Sequence, residues 1–555
     1  MAVRRRKKKK NRFFKILLIT LFAGTFYFFY QRNFAETNFD IPETVTSGSE
    51  TPWWDSSYAY RRKINVSSKT QGYVEINHAQ LNIENKSNSD GSDLKIVALE
   101  DKGYVVVPFT YNTLNSLQTR IYFDPNISNS DIFYIYYGNK GAELQNMDSN
   151  VQGLQNSQTQ FILLDEESPL LKISSLKKWI LKEKDIPKLN LLVSTDLNIN
   201  SDNTYFLIDN NKKLNTLEIS RGSVEIPLDS VKTGEHKLYL VSNINGNIYR
   251  SNNITFNLSA PVYVAWTLDW EGVEPQQQFL NMVADIAADY NIKLTHFFSP
   301  RILINVKIAP QRKRELVNWV LNRYNNLGEE IAMHLHMHHD MVEEAGVTAK
   351  YNAQTWDRGS TGFDTPSTEY NYFEYLKILR WGKAKMVEFG LPEPKGFRAG
   401  GWFANIDNLK AMKDAGFVYD SSGRVSFPIG QNRMTQPWQM TSRTQPYYIS
   451  ESDQNSSSKP SLGLLEIPNN GLDSYWSDAE TLIQNFYDNY TPNSVLNKSV
   501  LVTYLSHPEW FNIDDPKLRT LFDELNKYRI DFDNGPVKFV TLSEWMDLNA
   551  DMLKN

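Results

Sequence analysis

Val262-Tyr-Val-Ala-Trp-Thr-Leu268 carries no charged residue and leads directly into Asp269-Trp270-Glu271-Gly272. A strand wetted on one face alternates apolar and polar residues. An unbroken apolar run instead marks a parallel strand covered on both faces. Downstream the pattern repeats. Helical periodicity at Gln278–Tyr290, Gln311–Leu327, Tyr372–Phe389, Asn405–Ala415, Asp478–Tyr490 and Asp515–Arg529 alternates with strand-like segments. These are Leu294–Phe298, Ile331–His338, Gly396–Arg398, Phe417–Tyr419, Leu464–Ile467, Val500–Leu505 and Val537–Leu542, and Gly328 is placed to cap a helix. Repeated β-α alternation predicts an α/β domain over 261–555, either a parallel barrel or a doubly wound sheet. In both, chemistry gathers at the carboxyl ends of the strands.

Upstream of Ala260-Pro261 the pattern is all-β. Tyr60–Val66, Leu94–Leu99, Tyr104–Phe109, Thr119–Phe123 and Ile132–Tyr137 read as strands with turns between them and no helix, so residues 52–142 are expected to form a β-sandwich. Gln, Asn and Ser dominate 143–165, expected to be a linker. Leu189–Val193, Thr204–Ile208, Lys237–Val241 and Asn253–Leu258 then predict an immunoglobulin-like sandwich over 166–260.

The amino terminus is different again. Nine of the first 15 residues are basic and none is acidic, so the rest of the chain is more acidic than the net charge of −5 shows. An acidic body gives no footprint for nucleic acid. The apolar stretch Phe13–Tyr30 follows at once. Eighteen helical residues span about 27 Å, close to the thickness of a bilayer core. The expected arrangement is a cytoplasmic basic tail (1–12), a single membrane anchor (13–30), a stalk (31–51), and the remaining domains outside the cytoplasm. A cleaved signal peptide is the rival, but no small-residue cleavage site is evident. The chain has no cysteine, which excludes disulfides, thiolate metal sites and a cysteine nucleophile.

Of eight histidines in 555 residues, four fall in His334-Leu-His336-Met-His338-His339. Imidazole is the commonest neutral metal ligand. His334, His336 and His338 share a face of an extended chain, and His334 and His338 share a face of a helix, so the latter pair suits a metal in either geometry. Asp269 and Glu271, two apart, project to one side of an extended chain. Arg398 follows a strand and precedes Gly400-Gly401-Trp402, and His507 ends an apolar strand before Pro508. Each signal alone is matched by a structural explanation; together they follow successive strands of one domain.

In that order they resemble the polysaccharide deacetylase (NodB-homology) domain of carbohydrate esterase family 4, over residues 261–550. The closest match is Glu330-Ile-Ala-Met-His334-Leu-His-Met-His338. The resemblance implies a distorted (β/α) barrel and a hydrolase acting on carbon–nitrogen (non-peptide) bonds of acetylated polysaccharide. It makes Asp269 the general base, His507 the general acid and Arg398 the residue that orients and tunes Asp269. Glu271, His334 and His338 would hold one divalent metal, zinc first, with cobalt, nickel or manganese as alternatives. His336, His339, Trp402, Asp420 and Trp356 would support the site or touch substrate. No nucleotide cofactor is implied. The sequence departs from the family at Trp270, which separates the two acids, at Leu335, which stands where a hydroxyl residue is common, and at the missing proline near Arg398. Residues 52–142 resemble a domain of unknown function found in secreted proteins, on Trp53–Arg62, Asp90–Leu94 and Ile135–Asn139.

Two other readings remain open on sequence. One is a different metal-dependent hydrolase of carbon–nitrogen bonds. The other is an inactive, membrane-anchored glycan-binding protein. Loops at Asp340–Tyr370 and Arg424–Pro460 are long enough to shape a substrate groove.

Overall fold

The computed structural model describes residues 53–550, except 56, 102, 144–152, 168–170, 196–198, 210–211, 216–221, 245–246, 358 and 360. The expected tail, anchor and stalk lie outside the described residues. Among those described, no helix is long and apolar enough to cross a membrane. The chain forms two compact units, one ending at Ser168 and one beginning at Pro169.

The first unit is a sandwich of antiparallel strands. One sheet orders Gly103–Val107, Lys95–Glu100, Phe133–Tyr137, Tyr60–Asn65 and Ile162–Glu167; the other orders Gly72–Ile76, Thr119–Phe123 and Phe109–Tyr111. Ile64, Ile96 and Ile135 from the first sheet meet Val74, Ile121 and Phe123 from the second in one core. Two expectations need correction. A short helix, His78–Ile83, interrupts the strands, capped by the Asn77 side chain on Gln80 N–H. The expected linker 143–165 ends in a strand, because Ile162–Glu167 pairs antiparallel with Tyr60–Asn65 and completes the first sheet.

The second unit opens with another sandwich. Ser223–Pro227, Lys188–Thr195 and Leu171–Ser175 form one sheet; Trp179–Leu181, Ile254–Ser259, Gly234–Ile244, Thr204–Ile208 and Lys212–Asn215 form the other. Alternation is clear along Lys188–Thr195, where Leu189, Leu191 and Val193 are buried and Lys188, Asn190 and Leu192 exposed. This sandwich is fastened to the α/β part that follows. Asp533 accepts the backbone N–H of Lys178 and Trp179, and Glu183 pairs with Lys538 at 2.9 Å.

The α/β part is built on parallel strands in the spatial order Ser461–Glu466, Tyr419–Asp420, Gly396–Ala399, Glu330–Leu335, Leu294–Phe298, Val262–Asp269 and Val500–Ser506. All eight residues of Val262–Asp269 are buried, as its unbroken apolar character requires. Helices flank the strands and carry their expected signals. Pro310 begins Pro310–Leu327, and Gly328 ends it at φ 69°. Asn371 and Glu374 form a capping box on Tyr372–Glu388. The ladder runs in open order, with Tyr447–Ser450 added antiparallel at one edge. Individual hydrogen bonds, Gly471 N–H to Thr503 O and Ser474 N–H to Leu505 O, link the segment after Ser461–Glu466 to Val500–Ser506. The regular pairing alone does not close the strands into the distorted (β/α) barrel expected from the resemblance.

Candidate metal centre and proton-transfer groups

Asp269 is the last residue of Val262–Asp269, and Glu271 lies two residues on. Their shared side follows from strand periodicity, which sends Trp270 the other way. The Trp270 ring packs in the core against Phe298 and Trp319, at 5.3 and 5.9 Å between centroids. The tryptophan between the two acids is thus a core residue that pins both carboxylates on the opposite side. Glu509 reinforces this: its Oε1 accepts the Glu271 N–H at 3.0 Å.

Glu271, His334 and His336 form a buried group whose candidate ligand atoms all lie within 4.8 Å of one another. His336 Nε2 is 2.6 Å from Glu271 Oε2, and His334 Nε2 is 3.9 Å from Glu271 Oε1. The imidazole tautomers are set by their far nitrogens. His334 Nδ1 faces the carbonyl of Arg398 at 3.0 Å, and His336 Nδ1 faces the carbonyl of Phe363 at 2.9 Å. A carbonyl only accepts, so each Nδ1 carries a proton and each Nε2 is turned inward. His334 Nε2 is then a lone pair, buried without a hydrogen-bond partner. His336 Nε2 is within hydrogen-bond reach of Glu271: burial alone would discharge that ring, but the Glu271 charge and hydrogen bond outweigh it and raise the ring's pKa. A divalent cation at this point would take the place of that proton and satisfy His334 Nε2 as well. Burial lowers the pKa of His334 to about 3, which keeps the ring neutral.

His338, expected as a ligand, is not in this group. The strand stops at Leu335, and the chain turns tightly at Met337, where the His338 N–H donates to the His336 carbonyl at 2.8 Å. His338 then caps the short helix His339–Glu344, and its Nε2 donates to the Glu271 carbonyl at 3.2 Å. The turn breaks the alternation that would have kept three imidazoles in one row and brings His336, not His338, into the candidate group with Glu271 and His334. Gly400 is required by the same packing, since a Cβ there would fall 2.7 Å from the His336 ring. Phe363 stacks on the other side of that ring at 3.9 Å.

Arg398 is fully buried and binds Asp269 Oδ1 at 2.8 Å through Nη1, which also donates to Thr267 Oγ1. The tuning of Asp269 expected of Arg398 does not by itself bring the acid's pKa below the ordinary value. Burial dominates and raises it above the usual carboxylate range, although the Arg398 and His507 charges pull the other way. A cation at the neighbouring Glu271 and His334 would strengthen that downward pull.

His507 follows Val500–Ser506 and sits against both acids of interest: Nε2 is 3.3 Å from Glu271 Oε1, and Nδ1 is 3.7 Å from Asp473 Oδ1. Burial alone would discharge the ring, but the Asp473 and Glu271 carboxylates outweigh it and raise its pKa well above the ordinary value. Asp473, the carboxylate that faces His507, is not among the candidates picked from the sequence. It lies in an irregular stretch between a strand and a helix, without periodicity to flag it.

Four other sequence candidates have settled roles. Trp356 and Trp402 are buried in a cluster with Phe403, Ile429 and Leu505. Trp356 stacks on Phe403 at 5.2 Å and stands 5.9 Å from His336, so it walls the metal group. Trp402 lies under the Arg424 guanidinium at 4.0 Å. His339 is half-buried and packs on Tyr351 at 4.2 Å, away from the ligand atoms. Asp420 is buried beneath Arg398, joined to it through Ser421 and Ser422.

No family model matches the chain, and no curated protein matches it. Solved structures do overlap about half of it. A protein assigned as a polysaccharide deacetylase from Mycobacterium smegmatis is 16% identical, covering 53% of this chain and 92% of that one, with a TM-score of 0.33. A family 4 acetyl xylan esterase from Clostridium thermocellum, solved with a cobalt ion, is 13% identical over 52% and 92%, at 0.27. A CE4-family pseudoenzyme from Bacillus anthracis is 11% identical over 51% and 65%, at 0.28. About half of the chain is similar to these proteins. Likeness at this level leaves the chemistry to be decided by the site's own residues.

Proposed function

We propose that this chain is a metal-dependent hydrolase that removes acetyl groups from an extracytoplasmic polysaccharide, held to the membrane by its first 30 residues. The observation that carries the reading is the tautomer-locked pair His334 and His336, turned with Glu271 on a common point beside an acid paired with arginine and a histidine paired with Asp473. A divalent cation on Glu271, His334 and His336 would supply an activated water and polarise the acetyl carbonyl.

The chain's own groups supply the proton transfers. Ionised Asp269, aimed by Arg398, takes a proton from the attacking water as the new carbon–oxygen bond forms. His507, charged through Asp473, donates from Nε2 to the departing nitrogen as the carbon–nitrogen bond breaks, leaving acetate and a free amine. Beside His507 stands an aromatic rim: Trp510 at 5.4 Å and Tyr475 at 6.2 Å from its ring, with Trp476 5.0 Å from Tyr475. Trp476 is 56% exposed and Trp510 36%, so their faces are open to stack on sugar rings on the leaving-group side.

Acetate release from a panel of acetylated glycans, before and after chelation, tests the reading. Release that stops with chelator and returns with zinc is expected; no release from any glycan by zinc-loaded protein refutes it.

A further inference from the structure

Two strands ending beneath Arg398 place a pair of carboxyl groups side by side where water does not reach. Asp420, the last residue of Tyr419–Asp420, is the register partner of Glu466, the last of Ser461–Glu466. Both are fully buried. One oxygen of each is satisfied: Ser422 Oγ donates to Asp420 Oδ1 at 2.7 Å, and the Gly423 N–H donates to Glu466 Oε1 at 2.8 Å. The remaining oxygens, Asp420 Oδ2 and Glu466 Oε2, find no donor among the described residues.

The groups that face this pair offer no cation to neutralise it. Tyr375 from Tyr372–Glu388, Tyr447 from the edge strand and Tyr419 from its own strand are phenols, each held neutral first by burial. Arg398, from Gly396–Ala399, is the charge of opposite sign felt at both carboxyls, and its N–H groups point elsewhere. Nε donates to Ser421 O, Nη2 to Ser421 Oγ, and Nη1 to Thr267 and Asp269. Two bare carboxylates cannot both stay ionised at such burial. A single proton held between them satisfies both free oxygens.

The pair also has a mechanical connection to the site. Ser422 Oγ donates to Asp420 and accepts the Ala399 N–H at 2.9 Å; Ser421 grips the Arg398 guanidinium through both its carbonyl and its hydroxyl. Ser422 is seated on Asp420, and the next residue back, Ser421, donates its hydroxyl to the Ile467 carbonyl just beyond Glu466, so the two carboxyl-bearing strand ends together fix where Arg398 stands.

We propose that Asp420 and Glu466 share one proton and act as a positioning pair, holding Arg398 against Asp269 through Ser421 and Ser422. The role in positioning rests on the hydrolase reading above; the shared proton does not. Burial supports it, raising the Asp420 pKa to about 6 and that of Glu466 well above the carboxylate range.

The sign of the pH dependence follows. Unfolded, both carboxyls lose their protons near pH 4. Folded, the pair keeps one proton to higher pH, so its contribution to stability is complete below that range and is lost as pH rises through the folded value. In Glu466→Gln an amide N–H takes the place of the proton and cannot be titrated away. The melting temperature of the full-length chain, measured from about pH 5 to about pH 8, should fall by several degrees relative to Glu466→Gln as pH rises. Asp420→Asn should behave likewise, and both variants should retain zinc affinity and kcat at the acidic end. In the infrared, a protonated-carboxyl stretch present in the parent at neutral pH should be lost in each variant. Parallel melting curves, an unchanged infrared band, or failure of both amide variants to fold would overturn the shared proton. Ser422→Ala, which cuts the link from Asp420 to Ala399, should lower kcat while zinc affinity holds; flattened melting curves in the amide variants with unchanged kcat in Ser422→Ala would overturn the positioning role alone. A chain that hydrolyses no glycan leaves the melting and infrared results to decide the proton by themselves.

Discussion

The main-chain carbonyl of Arg398 accepts the Nδ1–H of His334 at 3.0 Å, while the guanidinium of the same residue binds Asp269. One residue thus orients a metal ligand through its backbone and the base through its side chain. Arg398→Met separates the two. It leaves a buried carboxylate unpaired, which typically costs about 3–5 kcal/mol and is read by denaturant unfolding. It leaves the carbonyl in place, so zinc affinity should change by less than about tenfold. Acetate release should be lost, because burial then holds Asp269 protonated against the His507 charge alone.

Asp473 and His507 make a second separable pair. The Asp473 charge is a main influence holding the His507 imidazolium charged against burial. In Asp473→Asn that support is gone, and the ring gives up its proton at lower pH. The alkaline limb of the kcat/KM profile should move to lower pH. The rate at neutral pH should fall by about 100-fold, within the range typical of a lost proton donor. An unmoved alkaline limb would remove Asp473 from the account.

The rim beside His507 makes a prediction about substrate length. Trp476→Ala and Trp510→Ala remove exposed ring faces without touching the metal group. Loss of one stacking face at an exposed site is worth about 1 kcal/mol, or roughly fivefold. KM for an acetylated oligosaccharide should rise by that factor with kcat little changed. A small acetylated monosaccharide should be indifferent to either substitution.

The strands that carry the site were legible because burial on both faces writes itself into composition: Val262–Leu268 and Leu294–Phe298 match observed strands to within a residue. The acids and Arg398 were legible as strand-end residues. The identity of the second imidazole ligand was not. His336 and His338 are indistinguishable by period two, and the choice between them is made by a tight turn at Met337 that no periodicity reports. Asp473 was invisible for a related reason: Gly471 and Ser474, which bracket it, bond to Val500–Ser506 one residue at a time, outside any regular ladder. The helix His78–Ile83, at six residues, is too short to show a period of its own.

Metal removal should also be visible in stability. Glu271, His334 and His336 are all buried, and without a cation His334 Nε2 has no hydrogen-bond partner. Zinc at about 100 times its Kd should add about 2.7 kcal/mol. The melting temperature should therefore rise on titration with zinc and return on chelation.

The central claim is that Glu271, His334 and His336, and not His338, clasp one divalent ion. Zinc binding to the metal-stripped chain, measured by competition against a chromophoric chelator, tests it with three proteins. The account expects one ion per chain in the parent, binding weakened by a hundredfold or more in His336→Ala, and near-parent binding in His338→Ala. Full affinity in His336→Ala together with loss in His338→Ala would contradict it.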